Sequence, residues 1–150
     1  MANDPIQLRI ERTFDAPRDL VFQAWADPEQ MKQWWGPEGF TIPFFEMETK
    51  PGGAYRSCMT DPGGEEHWVQ GEFLEIIEPE KIVMTWAWEE DGVPGLVTIV
   101  TVDFIENADD RDKTDLVLVH SGFESEESRD GHNMGWNSSL ENIAKLLAKT

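Results

Sequence analysis

One stretch limits the fold more than any other, the C-terminal run 133–150, NMGWNSSLENIAKLLAKT. Trp136, Leu140, Ile143 and Leu147 recur at spacings of four, three and four, which is one face of a 3.6-residue repeat. Asn137, Glu141, Asn142, Lys145 and Lys149 fall largely off that face, and both lysines stand where the helix macrodipole favours positive charge. No other stretch reads as a helix of this length, and most of the chain before it reads as strands. A long helix with a single apolar face needs a sheet to lie on.

Residues 6–13 alternate Ile6, Leu8 and Ile10 against Gln7, Arg9 and Glu11, as a half-buried strand does. Further strands are expected at 40–48, 54–60, 66–77, 81–89, 96–105 and 114–121. Between them lie the turn signals Pro51-Gly52-Gly53, Asp61-Pro62-Gly63-Gly64, Glu78-Pro79-Glu80 and Asp91-Gly92-Val93-Pro94-Gly95, and the acidic stretch 106–115. Connections this short favour antiparallel neighbours. After the first strand, Asp15 and Pro17 open a short helix with Leu20, Val21, Ala24 and Trp25 as its stripe. Asp27-Pro28-Glu29-Gln30 opens a second, carrying Met31, Trp34 and Trp35 and stopped by Gly36-Pro37. Ser125 is a candidate N-cap ahead of the last helix, and His132 is placed on the loop before it. The expectation is an α+β helix-grip fold in a single domain, 1–150. A curved seven-stranded antiparallel sheet surrounds the long C-terminal helix, and the two short helices plug one end. Seven strands bent round one helix enclose more space than it fills, so a cavity is expected.

The net charge of −18 repels phosphate backbones and anionic lipid head groups, so no nucleic-acid or membrane partner is expected. Residues 1–5 carry neither a basic nor an apolar leader segment, and no apolar run is long enough to span a bilayer. A cytoplasmic location follows as the simplest expectation. The lone Cys58 allows no internal disulfide and no cysteine cluster. The three histidines lie in separate segments without ligand spacing, and Asp109-Asp110-Arg111-Asp112 lacks the glycine and closing Glu of a calcium loop. No metal and no cofactor are therefore expected. Phosphate-loop and nucleophile-elbow motifs are absent from the sequence.

Several stretches taken together carry a family resemblance. They are Phe14-Asp15-Ala16-Pro17 with Val21-Phe22 and Ala24-Trp25, then Trp34-Trp35-Gly36-Pro37 with Gly39-Phe40, then Pro51-Gly52-Gly53. Gly71 with Glu75-Ile76, Thr85-Trp86, His120-Ser121-Gly122-Phe123, and Gly135-Trp136 with Leu140 complete the set. In their order through nearly the whole chain they resemble the Activator of Hsp90 ATPase homologue 1-like family. That family lies within the START-like, Bet v 1-type superfamily of polyketide cyclases and lipid-transfer domains. The resemblance implies the helix-grip fold. It does not imply chaperone activation, because the co-chaperone of that name carries a separate N-terminal domain for its partner, and the stretch matched here starts at the first strand.

Trp34, Trp35, Phe44, Phe45, Trp86, Trp88 and Trp136 suit either a cavity wall or plain core. The expected lining is Trp34, Phe45, Trp86, His120, Trp136, Asn137 and Leu140, with Trp34 and Trp136 foremost. In the alternation of 116–121 either face suits the interior, so the pattern alone does not orient His120. The family resemblance places it inward, beside the last helix. There it is either a general base, an anchor for a ligand carbonyl, or a hydrogen-bonded structural histidine. Glu72 is the candidate acid partner. Glu46, Glu48 and Glu72 beside Arg56 either form an inward pair or face solvent. Cys58 is expected as a small buried or half-buried thiol. Three functions follow as expectations. The first is a domain binding a hydrophobic or aromatic small molecule between the last helix and the sheet. The second is a cyclase or dehydratase of the superfamily's type, using His120 with a carboxylate. The third is a co-chaperone-like protein-binding module. Edge strands allow a homodimer as readily as a monomer.

Overall fold

Strand β1 (Ile6–Phe14) buries Leu8, Ile10 and Phe14 and turns Gln7, Arg9 and Glu11 to solvent, as the alternation requires. The computed structural model describes residues 6–148. After β1 come α1 (Arg18–Ala26), α2 (Pro28–Trp34), β2 (Thr41–Met47), β3 (Ala54–Thr60) and β4 (Glu66–Ile77). Then follow β5 (Lys81–Glu90), the two-residue β6 (Val93–Pro94), β7 (Thr98–Glu106), β8 (Thr114–Phe123) and α3 (Glu126–Leu147). The sheet runs β1-β8-β7-β5-β4-β3-β2, and β6 pairs only with β5. All of its pairings are antiparallel. Strands β2, β3, β4, β5, β7 and β8 form the expected meander, β6 falls in a stretch expected as a turn, and β1 returns to pair with β8 along the edge. The helix α3 packs on β1, β8, α1 and α2, and the Arg12 guanidinium of β1 reaches Glu141 of α3 at 2.6 Å. This is the helix-grip architecture.

Local chemistry sets the helix ends. Asp27 caps α2 by accepting from the Glu29 N–H at 3.0 Å, and Gln30 Nε2 reaches back to its other oxygen at 3.3 Å. Ser125 caps α3, accepting from the Ser128 N–H at 3.1 Å, with Glu126 and Glu127 in the first turn. Asp15 does not cap α1. Pro17 is itself the N-cap, and its carbonyl accepts from Leu20 and Val21 at 3.0 and 3.2 Å, so Asp15 lies too early. The buried stripe of α1 is Val21, Phe22, Ala24 and Trp25, while Leu20 is 45% exposed. Strand β7 starts at Thr98 and leaves Leu96 and Val97 exposed before it.

His132, expected on a loop, lies inside α3. The glycines Gly131 and Gly135 flank it in the helix, where each costs about 1 kcal/mol relative to alanine. The cap at Ser125 and the packed face beyond Trp136 carry the helix through them.

The interior is densest where α1 and α2 meet α3 and β7. The Trp25 ring lies 4.6 Å from that of Trp34, 5.8 Å from that of Trp136 and 6.2 Å from that of Phe104. Phe22 meets Phe104 edge-on at 5.3 Å, and Leu140 and Ile143 are fully buried.

Candidate functional site

The N-terminal half of α3 carries small residues on the side that borders the space. Ser128, Gly131, Gly135 and Ser139 follow one another at spacings of three, four and four. A Cβ placed on Gly131 would meet nothing within 4 Å, and one on Gly135 would meet only Pro37 Cγ at 3.8 Å. The missing side chains leave a cavity of about 390 Å³ between α3 and the sheet. Its far wall is Met59 of β3, His67 of β4, and Trp86 and Trp88 of β5. One side is closed by Trp35, Pro37 and Phe40 of the α2–β2 connection, and another by His132 and Trp136 of α3. Gly36, at φ +86°, makes the turn that ends α2 and leads into that connection. Asn142 Nδ2 donates to Gly36 O at 3.1 Å, and Ser138 Oγ accepts from Glu38 N at 2.8 Å, so the connection is tied to α3.

Most polar groups of this wall are already committed. Trp35 Nε1–H donates to Ser57 Oγ at 2.8 Å. Trp88 Nε1–H donates to His132 Nε2 at 2.8 Å, so the His132 hydrogen sits on Nδ1 and is donated to Ser128 O at 2.7 Å. Trp136 Nε1–H donates to His120 Nδ1 at 3.0 Å, so His120 carries its hydrogen on Nε2. That hydrogen goes to Thr98 Oγ1 at 2.7 Å, and the Thr98 hydroxyl donates onward to Trp86 O at 2.9 Å. His120 is thus a neutral imidazole with both nitrogens occupied. Burial, with His132 nearby, brings its pKa down from 6.5 to about 3. Burial also lowers His132, against the opposing bond to Ser128 O. Trp86 Nε1 is closed off from solvent and has no hydrogen-bond partner among the described residues, at a cost of about 1–3 kcal/mol. At the rim stands Glu127, exposed to solvent.

Trp86 and Trp136 of the expected lining form walls of the cavity. His120 lies behind them, fully buried, its ring 5.5 Å from that of Trp86. Trp34 is core, donating through Nε1 to Ala24 O at 2.7 Å. Phe45 packs on Trp35 at 5.6 Å, behind the wall, and Leu140 is buried toward the packed end. Asn137 is exposed and bonds Asn133 O at 2.9 Å on its own helix. Glu72 is exposed too; Val69 and Phe73 of the same strand face the core, which puts Glu72 on the outer face. It is therefore not brought to His120.

The Arg56 partner is Glu89, not Glu46, Glu48 or Glu72. The guanidinium makes two bonds to the Glu89 carboxylate, 2.8 and 2.9 Å, with its carbon 4.2 Å from the Trp68 ring centre. Arg56, and after it Gln70, hold Glu89 below the usual carboxylate range. Cys58 is a buried thiol, in register between Phe44 and Trp68, and burial pushes its pKa up.

Residues that the sequence reading did not select complete the cavity. Trp88 follows Trp86 by two and so shares its face of β5, a signal that was present. The small residues of α3 were legible only once 125–132 was read as helix. Asp61, Glu65 and His67 offer one ligand atom each within 4.8 Å of one another, a group that histidine spacing does not reveal. Asp61 is already engaged there. One oxygen meets His67 Nε2 at 3.0 Å, and the other accepts from the Gly63 and Glu65 N–H groups at 2.9 and 3.0 Å.

Comparison with known proteins adds the following. The sequence profile of the Activator of Hsp90 ATPase homolog 1-like protein family matches residues 15–148. The crystal structure of the AHSA1 protein from Silicibacter pomeroyi is 28% identical, with a TM-score of 0.85 over 95% of this chain and 98% of that one. A Chromobacterium violaceum protein is 29% identical, with a TM-score of 0.82 over 93% of this chain and 95% of that one. The solution structure of an Arthrobacter aurescens protein is 28% identical, with a TM-score of 0.82 over 96% and 87%. No curated protein matches the sequence. No helix among the described residues is long and apolar enough to cross a membrane.

Proposed function

The chain belongs to the Activator of Hsp90 ATPase homolog 1-like family, and from that premise we propose that it holds a hydrophobic or aromatic small molecule between α3 and strands β3–β5. One observation carries this reading: the cavity of about 390 Å³ walled by Trp35, Trp86, Trp88 and Trp136. A space of this size suits a compact ring system. Burial of apolar ligand surface supplies affinity at about 25 cal/mol per Å² before the cost of association. The neutral, fully bonded His132 and His120 keep the indoles in place, so the walls are fixed before a ligand arrives.

Proton transfer by His120 with a carboxylate has no support in this geometry. Both ring nitrogens are occupied, and Glu72 is on the outer face. His120 acts instead as a positioning residue for Trp136 and, through Thr98, for the Trp86 backbone.

The test is a titration with 2-naphthol, followed by amide chemical-shift mapping and native mass spectrometry. Shifts should cluster on 128–139 and on Trp86 and Trp88. The Gly131→Leu variant, which places a side chain in the open space, should abolish them. Shifts scattered over the outer face, or binding that survives Gly131→Leu unchanged, would remove the cavity reading.

A further inference from the structure

We propose that the cavity selects lipophilic cations, molecules pairing an apolar or aromatic body with an ammonium group, and discriminates against anions. The inference rests on the cavity being a ligand site and deepens that reading by fixing the charge of the occupant.

An anion moved out of water onto an apolar wall needs cationic side chains or free N–H groups aimed at it. Among the described residues no Lys or Arg lines the space. Four indoles do, yet none offers its N–H. Those of Trp35, Trp88 and Trp136 are given to Ser57, His132 and His120, and that of Trp86 is sealed inside the wall. The His132 Nδ1 hydrogen is spent on Ser128 O, and His67 Nε2 faces Asp61. The side-chain hydroxyls of Ser128 and Ser139 and the Nδ1 of His67 are what remains, and so few groups do not replace the hydration of a carboxylate.

What the walls do present is π surface in several orientations. The Trp86 ring lies 5.5 Å from that of Trp88 at 86°, 5.2 Å from that of Trp136 at 50°, and 5.5 Å from that of Trp35 at 46°. An indole face that borders the space attracts a cation through its quadrupole, and offers no such attraction to an anion. Glu127 places a carboxylate on the rim, and the chain's net charge of −18 draws cations toward it. Glu127 is the only Asp, Glu, Lys or Arg side chain lining the space among the described residues.

Three probes of similar shape test this: benzyltrimethylammonium, its neutral carbon analogue neopentylbenzene, and phenylmethanesulfonate. Binding is read from tryptophan fluorescence and amide shifts on the full chain. The ammonium should bind about tenfold tighter than the neutral analogue, and the sulfonate more weakly than either. Glu127→Gln should cut the ammonium affinity about threefold and leave the neutral probe unchanged. Glu127→Lys should narrow the gap between ammonium and sulfonate further. Equal or tighter binding of neopentylbenzene overturns the charge selection while leaving the cavity reading intact, as does preference for the sulfonate. If none of the three, nor 2-naphthol, perturbs residues 128–139, both readings fall together.

Discussion

The two halves of α3 face the same concave sheet and differ first in the size of the residues on the inward face. Toward the C-terminus, Leu140, Ile143 and Leu147 meet Trp25, Trp34 and Phe104 in a filled core. Toward the N-terminus, Ser128, Gly131, Gly135 and Ser139 face Trp86 and Trp88 across open space. Helical spacing decides which residues point inward, and side-chain volume decides whether inward means packed or hollow. The polar wiring differs in the same way. At the packed end, Trp34 bonds a backbone carbonyl of the neighbouring helix α1. At the hollow end, the indoles Trp88 and Trp136 are braced by neutral histidines.

The sharpest test of the contrast is truncation at the filled end. Leu140→Ala should cost about 2–5 kcal/mol, because close-packed neighbours relax only partly around the hole. Urea unfolding measures it, and a loss below about 1 kcal/mol would show that this end is not close-packed.

Next in size is the pH response of His120, which sits behind the hollow end. Its folded pKa, about 3, lies below the ordinary 6.5. The unfolded chain therefore takes up a proton that the native state refuses. This contribution is complete above about pH 6.5 and is lost as pH falls toward 3. Between pH 8 and 5 it amounts to about 2 kcal/mol. His120→Gln should flatten the slope of stability against pH by roughly that amount. His132, also held low, adds a slope of the same sign to parent and variant alike. Identical slopes in the two proteins would mean that His120 is not buried neutral.

Filling the hollow end should do the opposite of emptying the packed one. Gly131→Leu adds a side chain where nothing stands within 4 Å, and removing an interior helical glycine favours the fold by up to about 1 kcal/mol. Stability should hold or rise while 2-naphthol binding disappears. A stability loss comparable to that of Leu140→Ala would show the hollow end to be filled. The smallest effect belongs to Asn137→Ala, on the exposed side of α3. Stability should change by less than about 0.5 kcal/mol, with probe affinity unaltered.

Periodicity in the chain was enough to place β1, the strands of the meander and the terminal helix. Those patterns are local and repeat at fixed periods. It was also enough to nominate Trp86 and Trp136, since large rings on a sheet and on its gripping helix meet in any closed arrangement of the two. It misjudged Trp34, Phe45 and Leu140 as cavity walls because a buried ring or leucine leaves the same mark in a sequence whether it borders a void or a neighbour. His132 was misplaced because two glycines weigh against a helix locally, and the cap and packed face that outweigh them lie several residues away. Glu89 was overlooked as the partner of Arg56 because that pairing crosses from β3 to β5, with Gln70 of β4 between them.

What the sequence determined by itself was the inward face of the C-terminal half of α3 and seven of the eight strands in the sheet it closes. Only the tertiary structure decided which part of the helix borders empty space. A void is the difference between the volume the backbone encloses and the volume the side chains supply, and only the second of these is written residue by residue.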